Sequence, residues 1–225
     1  MFPFLGFKFR HTNKPPLLLF DYDGVIADSF DVYFSEFTRA CAELGFDRLN
    51  SREAFLRLFD GNLVTQLVKA GFPLRKLRAL AREFAPVIEA ANARIEPFPG
   101  MTATLRHLSA IHPVLIITAN TSHTVRRFLD AHELRDVKDV LGSDDETSKV
   151  KKIRAARRRF SGYCAYYMGD TRGDMIEARR AGALPVAVGW GWHDIDRLRT
   201  GGPVHIVPTQ EALLALFQPN RGSQT

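Results

Sequence analysis

The chain has 225 residues, 45% hydrophobic and 25% charged, an ordinary balance for a globular protein with enough apolar material for a real core. Its formal charge of +6 suits an anionic ligand, but a surplus of that size does not by itself imply a polyanion. Two cysteines, Cys41 and Cys164, argue against a disulfide framework and fit a reducing compartment.

Residues 1–16 are apolar and aromatic, but Lys8 and Arg10 interrupt them. The stretch is too short to span a bilayer and lacks the order of a signal peptide. No other segment reads as a membrane span, so a cytoplasmic protein is expected. Pro15-Pro16 excludes helix and opens a first strand, Leu17 to Phe20, apolar on both faces as in a covered parallel sheet. From Phe30 to Arg94 no strand is predicted. Phe34, Phe37, Cys41 and Leu44 recur at helical spacing, and Gly45 fits a C-cap. Ser51 caps a short helix, and Asp60-Gly61-Asn62 makes a turn. Helices are predicted over Leu63 to Ala70 and Leu74 to Arg94, with Pro86 starting or kinking part of the second.

Beyond the linker Pro97-Phe98-Pro99-Gly100 the pattern alternates. Strands are predicted at Pro113–Ile117, Val137–Leu141, Cys164–Met168, Leu184–Val188 and Val204–Val207. Helices at Thr102–Ala110, Ser122–His132, Ser148–Phe160, Gly173–Ala181 and Gln210–Phe217 separate or follow them. Cys164 then reads as an inert buried thiol, and the tail after Pro219 as disordered. This alternation predicts an α/β fold, a doubly wound parallel sheet. Residues 1–28 and 96–225 would form the core, and residues 29–95 an inserted α-helical cap over the strand ends.

Three strands stop abruptly on polar residues. The first runs into Asp21, with Asp23 two residues on. Pro113–Ile117 runs into Thr118-Ala119-Asn120. Cys164–Met168 runs into Gly169-Asp170, with Asp174 following. In open α/β sheets ligands bind beyond these carboxyl ends. Clustered carboxylates raise one another's pKa unless a cation neutralises them. Oxygen ligands without His or Cys favour a hard ion, Mg²⁺ before Ca²⁺ or Zn²⁺. A metal, a lysine and a hydroxyl around a free carboxylate suit phosphoryl transfer, and the carboxylate can be the nucleophile.

The chain resembles the haloacid dehalogenase superfamily of phosphohydrolases, and within it the phosphoglycolate-phosphatase-like group with an inserted helical cap. Asp21-Tyr22-Asp23-Gly24-Val25 resembles the first motif of that family, and Ile116-Ile117-Thr118-Ala119-Asn120 the second. Lys149 resembles the third, and Gly169-Asp170 with Asp174 the fourth. The resemblance implies a phosphoric monoester hydrolase with the following roles. Asp21 attacks phosphorus and holds Mg²⁺. Asp23 protonates the leaving alcohol, activates water, and binds the metal through its carbonyl. Thr118 bonds a phosphoryl oxygen, with Asn120 nearby, and Lys149 pairs with Asp21 and the phosphate. Asp170 and Asp174 complete the metal site. The substrate would be a small phosphorylated metabolite, with a phosphoglycolate-like ester one candidate. Asp23 disfavours dehalogenation, since the dehalogenases proper lack that second acid.

The third motif departs from the pattern, because Ser148-Lys149-Val150-Lys151-Lys152 offers three lysines and no Lys-Pro pair. Lys149 is preferred over Lys151 because it starts the helix. Tyr22 should face away from the site by alternation. Asn62 is a candidate substrate contact from the cap, although an ordinary turn explains it as well. Asn120 could equally cap the following helix, and Asp174 could be a first-turn acid favoured by the helix dipole. Lys151 to Arg159 reads as a solvated helix face, since no aromatic residues interleave for base stacking; no nucleic-acid partner is expected. The seven histidines have no metal-ligand spacing, and Trp190 and Trp192 read as packing residues at a domain edge. Alternatives are a phosphomutase, a phosphonate-cleaving enzyme using cap Lys69 or Lys76, or a catalytically silent nucleic-acid-binding or regulatory protein. Oligomeric state leaves no signature.

Overall fold

The computed structural model describes residues 14–218; the aromatic start and the tail after Pro219 lie outside the described residues. Strand β1 (Pro16–Phe20) has Leu17 to Phe20 fully buried. It pairs in parallel with β2 (Val114–Ile117) on one side and β4 (Cys164–Gly169) on the other. With β3 (Asp139–Leu141), β5 (Leu184–Val188) and β6 (His205–Val207), the sheet is all parallel in the order β3-β2-β1-β4-β5-β6. The chain builds outward from β1 to β3, then returns to its other side. The switch point therefore falls between β1 and β4, where such folds open a ligand crevice. Phe20 is level with Met168 there, and the Asp21 amide donates to the Met168 carbonyl at 2.9 Å.

The pleat divides the core. Leu18 and Phe20 face a large cluster that continues without a break into the inserted helices. Leu17 and Leu19 face the opposite cluster with Ile153 and Ala178. The insertion comprises α1 (Phe30–Glu43), α2 (Arg52–Arg57), α3 (Leu63–Lys69) and α4 (Leu77–Ala91). Chain entry and exit are tied together: the Asp28 amide donates to the Glu96 carbonyl at 2.9 Å and the Phe98 amide to Ile26 at 3.0 Å. Pro86 does not start a helix; it lies inside α4. It is exposed, so the carbonyl it leaves without a donor can turn to water. Of the cysteines, Cys41 is the buried one and Cys164 is half-buried; both are free thiols.

After β2 come α6 (Ser122–Ala131), β3 and α7 (Lys149–Arg159); α5 (Met101–Ile111) precedes β2. Helices α8 (Arg172–Ala181), α9 (Ile195–Arg199) and α10 (Gln210–Phe217) complete the chain, α9 being unforeseen in the sequence. No described helix is long and apolar enough to cross a membrane.

Polar contacts clasp α2 and the turn after it to the core. The Arg197 guanidinium holds both Asp60 carboxylate oxygens, at 2.7 and 2.8 Å. Arg172 donates to the Asp60 carbonyl. His193 accepts from the Arg172 amide at Nδ1 (3.0 Å), so its proton sits on Nε2, which donates to the Leu56 carbonyl at 2.9 Å. Burial lowers its pKa and keeps it neutral.

The basic helix α7 corrects one expectation. Lys151 and most of its arginines are exposed, but Lys152 is buried. Its ammonium donates to the carbonyls of Thr118 and Gly142, bracing the chain where β2 and β3 end. Burial, then neighbouring Lys149, lowers its pKa to about 8. Arg154 and Arg157 donate to the last carbonyls of α8, Arg180 and Ala181, each at 2.7 Å. Lys152→Met should therefore leave two buried carbonyls short of a donor and lower the unfolding free energy by about 2–3 kcal/mol in urea titrations. A loss under about 0.5 kcal/mol, the range of neutral surface changes, would show that the lysine is dispensable.

Candidate active site

Asp21 directly follows β1 at the carboxyl end of the sheet. Its Oδ1 accepts from the Tyr22 amide at 2.8 Å, and its Oδ2 receives the Lys149 ammonium. Tyr22 points the other way, as alternation requires. Its hydroxyl donates to Asn92 at 3.2 Å, and its ring meets Phe128 edge-on. The chain then turns sharply, with the Ile26 and Ala27 amides both donating to the Tyr22 carbonyl. Gly24 has φ +73° inside this turn, and a Cβ there would lie 1.9 Å from the Asp170 carboxylate. Gly191 approaches from the other side, where a Cβ would be 2.2 Å from Asp170 Cβ and 2.4 Å from the Gly24 carbonyl. Two glycines thus make room for one acid.

Asp170 follows β4, and its Oδ2 accepts from the Trp192 amide at 2.8 Å. Asp174 stands in the first turn of α8, in a reciprocal cap with Thr171. Capping and site chemistry are not exclusive here. Asp174 Oδ2 accepts from Thr171, and its Oδ1 accepts from Lys149 Nζ at 2.7 Å. Lys149 opens α7 behind the Ser148 cap and bridges Asp21 and Asp174. Lys151 is exposed and pairs with Glu146 at 3.1 Å, away from these acids. The structure brings Lys149 to the site and leaves Lys151 outside.

Ligand oxygens of Asp21, Asp170 and Asp174 lie within 4.8 Å of one another, and all three residues are buried. Burial raises the Asp21 pKa to about 8, with Asp174 and Asp23 adding to the rise against the pull of Lys149. Asp170 is pushed well above the usual carboxylate range by burial, then by Asp174 and Asp21. Burial would raise Asp174 too, but Lys149 and the Thr171 hydroxyl outweigh it and hold it low. Burial lowers the Lys149 pKa, but Asp174 and Asp21 overcome this and hold its ammonium charged. One lysine cannot neutralise three ionised acids, so the donor set fits a hard cation.

Asp23 stands apart from that trio. Its Oδ2 accepts from Asn120 Nδ2 at 2.8 Å and from the Tyr33 hydroxyl at 3.3 Å; Tyr33 also donates to Asn120 Oδ1 at 2.8 Å. Burial lifts its pKa to about 6, against the Ser29 hydroxyl, Lys149, Tyr33 and Asn120. Asn120 is therefore more than a helix cap, a duty that Thr121 performs for α6. Thr118 is fully buried, with its hydroxyl accepting from the Asn120 amide at 3.0 Å. The cavity wall beside it consists of Ala119, Asn120 and Thr121.

Thr118 does not itself line the cavity of about 430 Å³ between the strand ends and the inserted helices, whose floor is formed by Asp21, Asp23, Asn120, Lys149, Asp170 and Asp174. Phe37, Phe55, Phe59, Leu67, Leu80 and Ile88 supply much of its walls, and Trp192 lines it too. Trp192 is thus more than an edge packing residue. Asn62 is not brought to the cavity. It is exposed, and its side chain caps α3 by accepting from the Thr65 amide at 3.2 Å. Lys69 and Lys76 do not line it either; Lys76 donates to the Leu44 carbonyl. Tyr33 and Trp192 escaped sequence reasoning because nothing local distinguishes them from core aromatics.

A family model described as haloacid dehalogenase-like hydrolase matches residues 18–188. The chain belongs to this family. It is an enzyme of the hydrolase type, and its similarity runs to phosphatases. A phosphoglycolate phosphatase of Synechococcus elongatus is 27% identical over 205 residues, covering 88% of this chain and 94% of the relative. "Probable phosphatase IndB" of Dickeya dadantii is 25% identical over 206 residues, covering 86% and 90%. Among solved structures, a haloacid dehalogenase-like family hydrolase from Streptococcus pneumoniae superposes with a TM-score of 0.75 at 22% identity, over 91% of this chain and 99% of that one. A hydrolase from Pseudomonas syringae gives 0.76 at 21%, over 89% and 97%. At these identities the two structures speak to the fold.

In this hydrolase the two lysines should separate cleanly. Lys149→Ala should slow p-nitrophenyl phosphate turnover at least about a hundredfold, as loss of one electrostatic stabiliser does. Lys151→Ala should change it less than about twofold, a surface substitution. The reverse ranking in steady-state assays would remove Lys149 from the site.

Proposed function

We propose that this hydrolase is a Mg²⁺-dependent phosphatase that cleaves small phosphate monoesters through an aspartyl-phosphate on Asp21. One observation carries the reading: two acids two residues apart have different partners. Asp21 is held by a lysine within an acid trio suited to a cation, and Asp23 by an amide and a phenol. The first environment suits a nucleophile and the second a proton carrier.

An Asp21 carboxylate oxygen attacks phosphorus, and the P–O bond to the alcohol breaks. Asp23 gives its proton to the departing oxygen. Asn120 and Tyr33 hold the Asp23 carboxylate in place through this step. Asp23, now ionised, takes a proton from water as the water oxygen attacks phosphorus and frees Asp21. Lys149 keeps Asp21 oriented and stabilises the added negative charge. Asp21, Asp170 and Asp174 would hold the metal, joined by the Asp23 carbonyl. When bound, Mg²⁺ would supply positive charge for the phosphoryl oxygens and allow the acids to be ionised together.

The silent-protein reading loses ground, since buried acids crowded without a cation only destabilise. Schiff-base phosphonate cleavage loses its cap lysines, neither of which lines the cavity. Nucleic-acid binding through α7 is disfavoured, because Lys152, Arg154 and Arg157 are engaged with the core's own carbonyls.

Metal-stripped protein should lose activity, and Mg²⁺ should restore it. Full turnover in excess chelator would sink the metal assignment.

Asp23→Asn should divide the two half-reactions. Alkyl phosphates need protonation of a poor leaving group, so they should fail at the first step. p-Nitrophenyl phosphate should release a burst of about one nitrophenolate per site, then stall with label on Asp21, as a covalent intermediate requires. Normal turnover of alkyl phosphates by this variant would refute the division of labour.

A further inference from the structure

We infer that the cavity selects phosphate monoesters whose alcohol is uncharged and apolar, alkyl or aryl, over esters bearing a second anionic group such as phosphoglycolate. This rests on the phosphatase reading above and adds a substrate class to it. The cavity's volume of about 430 Å³ lies within the range of roughly 300–1,000 Å³ for sites that enclose drug-sized ligands. A phosphoryl group at the Asp21 end leaves most of that space to the rest of the substrate. Phe55, Phe59, Leu67, Leu80, Ile88 and Trp192 enclose it. Phe59 and Trp192 meet edge-to-face at 4.8 Å, and Phe55 lies 5.8 Å from Trp192, so this wall is a packed aromatic surface.

Charge decides against a second anion. Among the described lining residues Lys149 is the sole cation, and its ammonium already serves Asp21 and Asp174. The one charged residue that the inserted helices add to the described lining is Glu89, an acid. Arg39 pairs with Glu36 and Glu43, Arg57 with Glu53 and Arg82 with Glu83, and Arg52 lies over the Phe30 ring; exposed Arg78 of α4 does not line the cavity. A carboxylate on the substrate would enter a largely apolar space with no cationic partner and with an acid on the wall. Burying an unpaired charge is far more costly than burying an alkyl chain is favourable. Neutral hydrogen bonding remains available from Thr124 and Ser143 on the lining.

The test uses the full chain with Mg²⁺ and measures kcat/KM for ethyl, butyl and hexyl phosphate, for 2-phosphoglycolate, and for a phosphorylated hydroxy acid matched to butyl phosphate in length. Each methylene should raise kcat/KM about fourfold while space lasts, from roughly 0.8 kcal/mol per buried methylene. The terminal carboxylate should lower it at least about a hundredfold, the fold-change that corresponds to about 2.8 kcal/mol. Val64→Arg, on the half-exposed part of the lining, should improve the carboxylate ester relative to its alkyl counterpart at least about tenfold. A flat chain-length series, 2-phosphoglycolate matching or exceeding butyl phosphate, or an unchanged ratio in Val64→Arg would overturn the inference. Binding of ethyl- and hexylphosphonate, followed by tryptophan fluorescence, separates it from the reading beneath. Tighter binding of the longer phosphonate without hydrolysis of any ester would remove the phosphatase reading and keep the apolar selection. No hydrolysis and no length dependence would remove both.

Discussion

Three buried carboxylates around one ammonium are the constraint on which much else in this protein depends. Asp21, Asp170 and Asp174 come from the ends of two adjacent strands and the first turn of the helix after the second. Each would be costly if buried alone, and together they repel. Lys149 relieves part of this, at a local cost. A cation in the first turn of a helix opposes the dipole by about 0.3–1 kcal/mol, and α7 has no acid in its first turn to offset it. The helix accepts that misfit because Lys149 is held by Asp21 and Asp174. Gly24 and Gly191 belong to the same constraint, since a side chain at either would occupy the space Asp170 needs.

The same acids are tied to the roof above them. The segment 191–193 does three things in succession. Gly191 yields room to Asp170, the Trp192 amide bonds its carboxylate while the ring lines the cavity, and His193 reaches the carbonyl of Leu56 in α2. Arg197 and Arg172 then hold Asp60, one turn further along the insertion. The aromatic wall and the acid floor are thereby set by one stretch of chain. An apolar chamber over an anionic floor would leave the phosphoryl end of the proposed substrate governed by charge and its other end by shape and desolvation. The core supplies the acids and the lysine, and the insertion supplies nearly all of the described apolar lining.

Much of this was legible locally. Buried parallel strands announce themselves as apolar runs, and a lone acid where one stops reads as a turn residue, so it is the repetition of polar residues at three strand ends that marks the crevice. The positions of β1, β2 and β4, and of Asp21, Asp23, Asp170 and Asp174 at or just beyond their ends, follow from that alone. Tyr22 turning away from the site follows from the pleat. The choice of Lys149 over Lys151 rested on one local fact, its place at the helix start; in the structure Lys149 pairs with Asp21 and Lys151 with Glu146.

Other features had no local signature, because they depend on which distant segments meet. Lys152 sits in a run of cations that reads as solvated, yet its burial is decided by the carbonyls of Thr118 and Gly142 across the fold. Tyr33 looks like any helical core aromatic until β2 delivers Asn120 beside it. Asn62 has the composition of a ligand contact, but its carbonyl oxygen is used by its own helix. The cavity's chemistry was the least readable of all, since its wall combines scattered residues from α1 through α4 with Trp192 from the far end of the chain. Periodicity and strand-end acids are properties of contiguous residues, so the sequence alone determined the sheet and its acids. Enclosure and charge balance are sums over residues far apart in the chain, so only the tertiary structure decided what the site can hold.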